Sequence, residues 1–198
     1  MSNRKVEKEK KKMSIVSILT KDVMLEPKHL TPGIHDFVYD MIKKKYEKSC
    51  SDEHGLIISI DRIVRMDNLI NKDSIFITFM VTFEALTLKP VVGLEISFVP
   101  ILLIHKGIFG KIHDFINFFI PDISLVESGY NHDTSDNSFT RVEIVEETIK
   151  KNKRNVKVKK EIKHSITKDS MVKVIIEQIK YDAIKYNCIV RLVDNVCD

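Results

Sequence analysis

Apolar and polar residues alternate along two stretches in the first half of the chain, and this two-residue period predicts β-strands. In the longer stretch the inward set consists of odd-numbered residues, namely Ile75, Ile77, Phe79, Val81, Phe83 and Ala85. In the other, over residues 56–64, Ile58 and Ile60 are expected on one face, with Ser59 and Asp61 on the other. Residues 14–25 are rich in Ile and Val and predict a further strand region, broken at Lys21-Asp22. Residues 66–73 are expected to be a polar connection.

Between the first two strand regions the period changes to that of a helix. Apolar residues at helical spacing over residues 31–48 predict one buried face: Ile34, Phe37, Val38, Met41, Ile42 and Tyr46. Thr31 is the expected N-cap, with Pro32 in the first turn, where a missing N–H is tolerated. The order strand, helix, strand, strand predicts a small α+β unit over residues 14–90, in which one helix covers an antiparallel sheet.

From Val91 onward, short apolar runs separated by turn signals predict an all-β unit over residues 91–198, of the OB-type barrel kind. Pro100 lies inside one run, which is therefore expected to be an edge strand or to contain a bulge. Lys106-Gly107 is the expected turn before the next strand, and another run ends at Pro121-Asp122. Later strands are expected over residues 141–149, 156–162, 171–180 and 188–193, with an insertion near residues 126–165.

Positive charge is concentrated in two places. Residues 1–13 carry Lys and Arg with almost no apolar residues, which predicts a disordered basic tail that either contacts nucleic acid or only aids solubility. Residues 150–163, KKNKRNVKVKKEIK, predict a basic hairpin. Two interpretations stay open for it: a phosphate-contacting arm that includes Lys157 and Lys159, or a solvated hairpin whose lysines protect an edge.

The sequence contains no motif for catalysis, a metal or a cofactor, and we expect none of the three. It has no Gly-rich phosphate loop, no nucleophile motif and no ligand spacing among its histidines, and Cys50, Cys188 and Cys197 are far apart. Isolated cysteines suit a reducing compartment. Because the sequence has no apolar run of membrane-spanning length, we expect no membrane association and favour an intracellular location. The abundance of Ile and Lys suggests an AT-rich genome, such as that of a large DNA virus.

Three segments carry a resemblance to a known family: FEALTLKP at residues 83–90, GLEISFVPILLIHKGIFGKI at residues 93–112 and FFIPD at residues 118–122. A long strand passes through Lys89 and Pro90 into a second all-β unit. In that unit a Gly-x-Phe-Gly turn precedes an apolar run closed by Pro-Asp. This order resembles the domain junction of the larger stalk subunit of DNA-directed RNA polymerase, a family that comprises the seventh subunit of eukaryotic polymerase II and its archaeal counterpart. Pro27, Pro32 and Gly55 also match the family pattern.

The resemblance implies a non-catalytic stalk subunit with an N-terminal tip domain followed by an OB-type domain. By this likeness the tip docks on the polymerase core subunits, the OB domain guides nascent single-stranded RNA, and a smaller stalk subunit packs along both. The implied polymerase-docking residues are Leu30, Pro32, Gly33, Asn68 and Asn71. The implied RNA-facing residues of the barrel are Lys106, Phe109, Lys111 and Phe118.

Some features depart from the family pattern and leave alternatives open. The chain has Val91-Val92-Gly93-Leu94 where more glycines are usual, and its basic tail and hairpin look like additions. One alternative is a free-standing OB-fold RNA-binding protein that acts in translation or RNA handling, and another is a structural or host-interaction protein. The implied location is the nucleus for a cellular protein, or the cytoplasm of the infected cell or the virion for a viral one.

Overall fold

The computed structural model describes residues 13–69, 75–151 and 154–193, with backbone only at residue 69 and over residues 145–151 and 154–160. The chain divides into two compact units, one formed mainly by Lys10–Pro90 and the other by Val91–Asp182 and Tyr186–Asp198. Residues 1–12 of the predicted tail, and Asn71, lie outside the described residues. Met13, assigned above to the tail, is instead buried, and its carbonyl accepts a hydrogen bond from the Lys89 N–H at 3.2 Å.

The first unit is a four-stranded antiparallel sheet with one long helix. Its elements are β1 (Ser14–Leu25), a 3-10 turn (Pro27–His29), α1 (Ile34–Tyr46), β2 (Cys50–Ser51), β3 (Gly55–Leu69) and β4 (Ile77–Leu88). The strand order is β1-β4-β3-β2. β1 was expected to break at Lys21-Asp22, but its register with β4 is continuous from Ser14 opposite Leu88 to Leu25 opposite Ile77. Pairing along the whole of β4 satisfies the backbone there, so the two polar residues do not interrupt the strand.

The helix begins three residues later than predicted. Gly33 is its N-cap residue and no side chain caps it, so the prediction that Thr31 is the cap is wrong. Thr31 lies in the preceding turn, where its carbonyl accepts the Ile34 N–H at 3.0 Å. Val38 and Ile42 of α1 are fully buried in one core cluster with residues of the sheet. The sheet contributes to that cluster Leu19, Val23, Leu25, Ile57, Ile60, Phe79, Val81, Phe83 and Ala85.

β4 follows the predicted alternation and β3 does not. In β4 the odd-numbered residues from Phe79 to Ala85 are buried, as expected, and Ile77 packs against the same core. Ile75, predicted to belong to this set, lies before the strand begins and is 80% exposed, so that part of the prediction is wrong. The pairing of β3 with β4 shifts register three times, between Ile57 and Ser59, Ile60 and Arg62, and Ile63 and Arg65. Each bulge inserts an extra residue, so a core-facing residue of β3 occurs at every third position. The inward residues are therefore Ile57, Ile60, Ile63 and Met66.

Two predictions for this segment are consequently wrong. Ile58 was placed on the same face as Ile60, but the bulge between Ile57 and Ser59 leaves it only half-buried while Ile57 enters the core. Residues 66–73 were expected to be a polar connection, yet β3 continues to Leu69, which pairs with Thr78, and residues 70–73 lie outside the described residues. The bulges bend the strand and keep apolar side chains on the core side despite the polar residues between them.

The second unit is built on a six-stranded sheet with the order β5-β12-β13-β8-β7-β6. These strands are β5 (Glu95–Phe98), β6 (Pro100–Ile104), β7 (Gly107–His113), β8 (Ile116–Pro121), β12 (Val172–Asp182) and β13 (Lys185–Leu192). β8 and β13 pair in parallel. The first and last strands of the order, β5 and β6, are separated in the chain only by Val99, so the sheet curls back on itself. This confirms the predicted OB-type barrel after a helix-and-sheet domain, and Pro100 lies at a register shift in an end strand, as predicted.

An inserted segment separates β8 from β12. It holds a short helix, α2 (Asp122–Glu127), which the sequence did not predict, and a three-stranded sheet of order β11-β10-β9. The strands are β9 (Asn131–Asp133), β10 (Ser138–Lys151) and β11 (Arg154–Ile166). β10 and β11 pair antiparallel up to Lys151 opposite Arg154, which confirms the predicted basic hairpin.

Both glycines of the Gly-x-Phe-Gly segment are required by close packing. Gly107 has a φ of 144°, and a Cβ there would come within 2.1 Å of the Ile120 carbonyl oxygen. A Cβ on Gly110 would come within 2.1 Å of the Phe98 ring, which is buried and stacked on Phe118 with ring centroids 5.6 Å apart. Glycine at position 110 therefore allows β7 to pass over the aromatic core of the barrel.

We predict that Gly110→Ala destabilises the second unit by about 1–3 kcal/mol, because the added methyl must displace a buried ring. Urea unfolding followed by tyrosine fluorescence would measure the change. Gly33→Ala is the matched control, since a Cβ there meets no atom within 4 Å and the φ of −90° suits alanine. An unchanged unfolding midpoint for Gly110→Ala would contradict the packing described above.

Candidate functional site

Four apolar side chains form a row across the exposed face of the barrel; we call them the barrel row: Leu102, Phe109, Phe119 and Ile189. Phe109 on β7 stands opposite Leu102 on β6 and Phe119 on β8, and Phe119 pairs with Ile189 on β13. Leu102 is 46%, Phe109 37% and Ile189 38% exposed, and Phe119 is half-buried. The Phe109 and Phe119 rings lie 6.1 Å apart at 48°. Exposed aromatic rings on a barrel face offer surfaces on which flat ligands such as nucleobases can stack.

Polar groups accompany the barrel row. Lys111, Asn117 and Asn187 pair across β7, β8 and β13, two residues along from the row. Lys111 Nζ lies 2.8 Å from Asp114 Oδ1, and Asn117 Nδ2 donates a hydrogen bond of 2.9 Å to Asn187 Oδ1. Lys106 is exposed in the turn before β7. The structure thus brings three of the predicted RNA-facing residues, Lys106, Phe109 and Lys111, to one strand and its adjoining turn.

Phe118 does not belong to this surface. Its side chain is 0% exposed and stacks on Phe98 inside the barrel, so the prediction that it faces RNA is wrong. The reason is the two-residue period of β8, which buries Ile116, Phe118 and Ile120 and turns Phe119 outward. Phe119 was missed by the sequence analysis, although the apolar residues at even positions carried the signal that would have found it.

The predicted docking residues of the first unit lie in the turn between β1 and α1 and near the end of β3. β1 ends at Leu25 opposite Ile77, and β3 nears its end at Asn68 opposite Phe79. The chain leaves β1 at this end, passes through Leu30, Pro32 and Gly33, and enters α1. All three residues and Asn68 are exposed, whereas Asn71 lies outside the described residues.

An apolar and aromatic surface adjoins this turn. Leu30 is 48% exposed, and the exposed Phe37 ring of α1 stacks on the His29 ring with centroids 4.7 Å apart. We call Leu30 together with His29 and Phe37 the tip patch. Phe37 was expected on the buried face of α1, and its exposure supplies an apolar surface that the sequence analysis did not foresee. Exposed apolar clusters with polar residues around them are typical of protein-contact surfaces.

The two hairpin residues of the prediction have different positions in the register of β10 and β11. Lys157 stands opposite Thr148, whereas Lys159 stands opposite Glu146. The structure describes only the backbone at these four positions.

Neither of the two thiols that the structure describes is a reactive nucleophile at neutral pH. Desolvation by burial raises the pKa of Cys188 to about 12 and that of Cys50 to about 11, so both remain protonated. Within residues 13–69, 75–151 and 154–193, no three His, Cys, Asp or Glu side chains gather to hold a metal ion. Over the same residues no helix is both long and apolar enough to cross a membrane.

Comparison with known proteins finds relatives of both units. Residues 20–75 match the SHS2 domain found in the N terminus of Rpb7p/Rpc25p/MJ0397. DNA-directed RNA polymerase II subunit RPB7 of Glycine max is 27% identical over 128 residues, which cover 61% of this chain and 73% of that protein. DNA-directed RNA polymerase II subunit 7 of Arabidopsis thaliana matches with the same identity and coverage. The domain match and both relatives confirm that this chain is similar to the larger, Rpb7-type stalk subunit of DNA-directed RNA polymerase.

Proposed function

We propose that this chain acts as a non-catalytic stalk subunit of a DNA-directed RNA polymerase during transcription. The observation that carries the proposal is the extent of the likeness to the polymerase II subunits. That likeness covers 61% of the chain, which is more than the residues before Val91 can supply, so it continues from the helix-and-sheet unit into the barrel. Both units of a stalk subunit are therefore represented in their expected order.

The first unit would dock on the polymerase core through the end of the sheet that holds the tip patch. Support comes from the exposure of Leu30, Pro32 and Gly33 in the turn before α1 and of Asn68 near the end of β3, and from the exposed Phe37 ring stacked on His29. The turn is held by backbone hydrogen bonds, Leu30 N–H to the Pro27 carbonyl at 3.1 Å and Thr31 N–H to the His29 carbonyl at 2.9 Å. A preformed turn loses little conformational entropy on binding, which favours its use as a contact.

A smaller stalk subunit would contact the exposed side of β1. This strand has β4 on one side and no further strand on the other in the sheet order of the described residues. Its side chains Ile15, Val16 and Ile18 are each about half exposed or more. An exposed apolar edge strand is a surface that proteins normally cover, and an obligate partner would do so.

We predict that Leu30→Asp lowers recovery of the polymerase with the tagged chain by about tenfold or more, since a charge would be buried in the contact. The measurement is the amount of the largest polymerase subunit per tagged chain, recovered from cells that express each variant. Val64→Asp is the control, because Val64 is an exposed apolar residue of β3 in the same unit and is not part of the tip patch. Equal recovery with Leu30→Asp and with the unsubstituted chain would contradict docking through this end.

The barrel would contact nascent single-stranded RNA through the barrel row, with Lys106 and Lys111 beside it. Two outward-facing rings 6.1 Å apart on adjacent strands, the exposed Phe109 and the half-buried Phe119, suit stacking of bases. Stacking tolerates any sequence because every base has a π-face. Sequence tolerance is what a subunit needs when it meets each transcript as it is made. The location implied is the site of transcription, which is the nucleus for a cellular chain and the infected cytoplasm or virion for a viral one.

We predict that the double substitution Phe109→Leu/Phe119→Leu weakens binding of a single-stranded RNA oligonucleotide by about tenfold, because base–aromatic stacking contributes about 1–3 kcal/mol per base. Leucine preserves an apolar surface and removes only the rings. Fluorescence anisotropy at one fixed salt concentration would measure the affinity. Ile123→Ala, at a more exposed apolar residue on α2, should leave binding unchanged. Unaltered affinity in the double variant would count against the barrel row as the RNA surface.

A further inference from the structure

The hairpin of β10 and β11 becomes a two-stranded arm beyond its first rungs. Thirteen residue pairs join the strands, from Phe139 opposite Ile166 to Lys151 opposite Arg154. β9 pairs with β10 only over Ser138 to Thr140. From Arg141 to Lys151 no other strand lies beside the pair in the sheet order of the described residues. At about 3.3 Å per residue this arm is about 33 Å long.

Charge is distributed unequally along the arm. We define the proximal half as residues 142–147 with their partners 158–163, and the distal half as residues 148–151 with their partners 154–157. The proximal half is nearly balanced, with four acidic and three basic residues: Glu143, Glu146, Glu147, Glu161, Lys159, Lys160 and Lys163. The distal half has no acidic residue and four basic ones: Lys150, Lys151, Arg154 and Lys157.

The register of β10 and β11 shows which of these basic residues stand opposite an acidic residue. Lys159 stands directly opposite Glu146, and an opposite-charge pair across antiparallel strands stabilises the pairing. Glu143 of the same half lies with its Oε2 3.4 Å from Nε2 of His164, the residue that follows the half on β11. Lys159 therefore has a structural explanation in the hairpin itself, and the four acidic residues of the proximal half offset its three lysines in net charge.

The distal half contains no opposite-charge pair. Lys157 stands opposite Thr148 and Lys150 opposite Asn155, whereas Lys151 stands directly opposite Arg154. Like charges directly opposite each other destabilise a strand pair, and a two-stranded arm has little other stabilisation. Local arrangements that lower stability are expected mainly at functional positions. A polyanion bound at this end would remove the repulsion.

We infer that the distal half of the arm binds the phosphate backbone of nucleic acid by charge, without reading bases. Lys157 belongs to this site, and Lys159 serves the pairing of the hairpin instead. The inference rests on the proposed contact of the chain with RNA and adds a second, electrostatic contact to the stacking surface of the barrel row. Its distinctive property is salt dependence, because each phosphate that is neutralised releases condensed counterions.

The test is a salt titration of the full chain with a fluorescein-labelled 20-nucleotide single-stranded RNA, followed by anisotropy between 50 and 300 mM KCl. The distal variant is Lys150→Gln/Lys151→Gln/Lys157→Gln, and the matched proximal variant is Lys159→Gln/Lys160→Gln/Lys163→Gln, so that each loses three charges. We expect the distal variant to reduce the slope of log K against log salt by about 2, at about 0.7 per phosphate on a single strand. The proximal variant should reduce it by less than about 0.7.

A pair of charge-adding variants keeps the test independent of any loss of folding. Asn155→Lys adds a cation to the distal half, and Ser165→Lys adds one at the exposed base of the hairpin, opposite Thr140. The first should tighten RNA binding and steepen the slope by about 0.7, whereas the second should leave both unchanged. Equal effects of the distal and proximal variants, or of the two added lysines, would overturn the inference.

Parallel titrations with single-stranded DNA and with duplex DNA identify the source of the phosphate backbone. Binding to all three, with equal sensitivity to the distal variant, would support a backbone contact without selection of the nucleic acid, and binding to RNA alone would assign it to the transcript. Salt-insensitive binding, or no binding at 50 mM KCl, would overturn the inference and leave an acidic protein surface as the partner to examine. The titration contains no polymerase, so its failure can be told apart from failure of the proposed function, which would appear as a loss of polymerase recovery. The distal variant should leave polymerase recovery unchanged.

Discussion

The two-residue period of a β-strand is the constraint on which both units depend. Burying one face of a strand determines which side chains the other face can present. In β4 the odd-numbered residues form the core beneath α1, and in β8 the even-numbered residues fill the barrel. The outward position of Phe119 is therefore a direct consequence of the burial of Phe118. The surface proposed for RNA is what remains when the barrel has packed its interior.

The extent to which the fold could be predicted follows from the same constraint. Where the period is uninterrupted, pattern alone gave the strands, the core face of β4 and the order of an α+β unit before a barrel. The face of β8 was nevertheless predicted wrongly, because Phe118 was assigned from the family resemblance and the period of its strand was not used. It failed in β3, because three bulges change the period from two to three and depend on pairing with β4, which is not visible in a single segment. It also failed at Thr31, where the turn before α1 uses backbone hydrogen bonds in place of a side-chain cap.

The residues of the candidate surfaces could likewise be predicted only in part. Lys106, Phe109 and Lys111 were found from the sequence because they lie on one turn and one strand, close together in the chain. Phe119, Leu102 and Ile189 join Phe109 only through pairing between strands that are distant in sequence, and the parallel pairing of β8 with β13 has no local signal. Phe37 was assigned to the core by helical spacing, but it lies at the margin of the apolar stripe and stacks on His29 instead.

The two contacts proposed for RNA differ physically. Stacking on the barrel row would depend on ring geometry and change little with salt, whereas binding by the distal half of the hairpin would act through charge and weaken as salt rises. Together they would hold a transcript of any sequence while allowing it to move. Neither requires catalytic groups, and a purely positioning role is consistent with a stalk subunit.

The most direct test of the central claim is to recover the tagged chain from its native or infected cell at moderate salt and to quantify the accompanying proteins by mass spectrometry. Our account predicts the large subunits of one RNA polymerase in amounts equal to the tagged chain, together with a smaller stalk partner. Recovery of the chain with RNA or ribosomal factors, and without polymerase subunits, would contradict it and identify a free-standing RNA-binding protein.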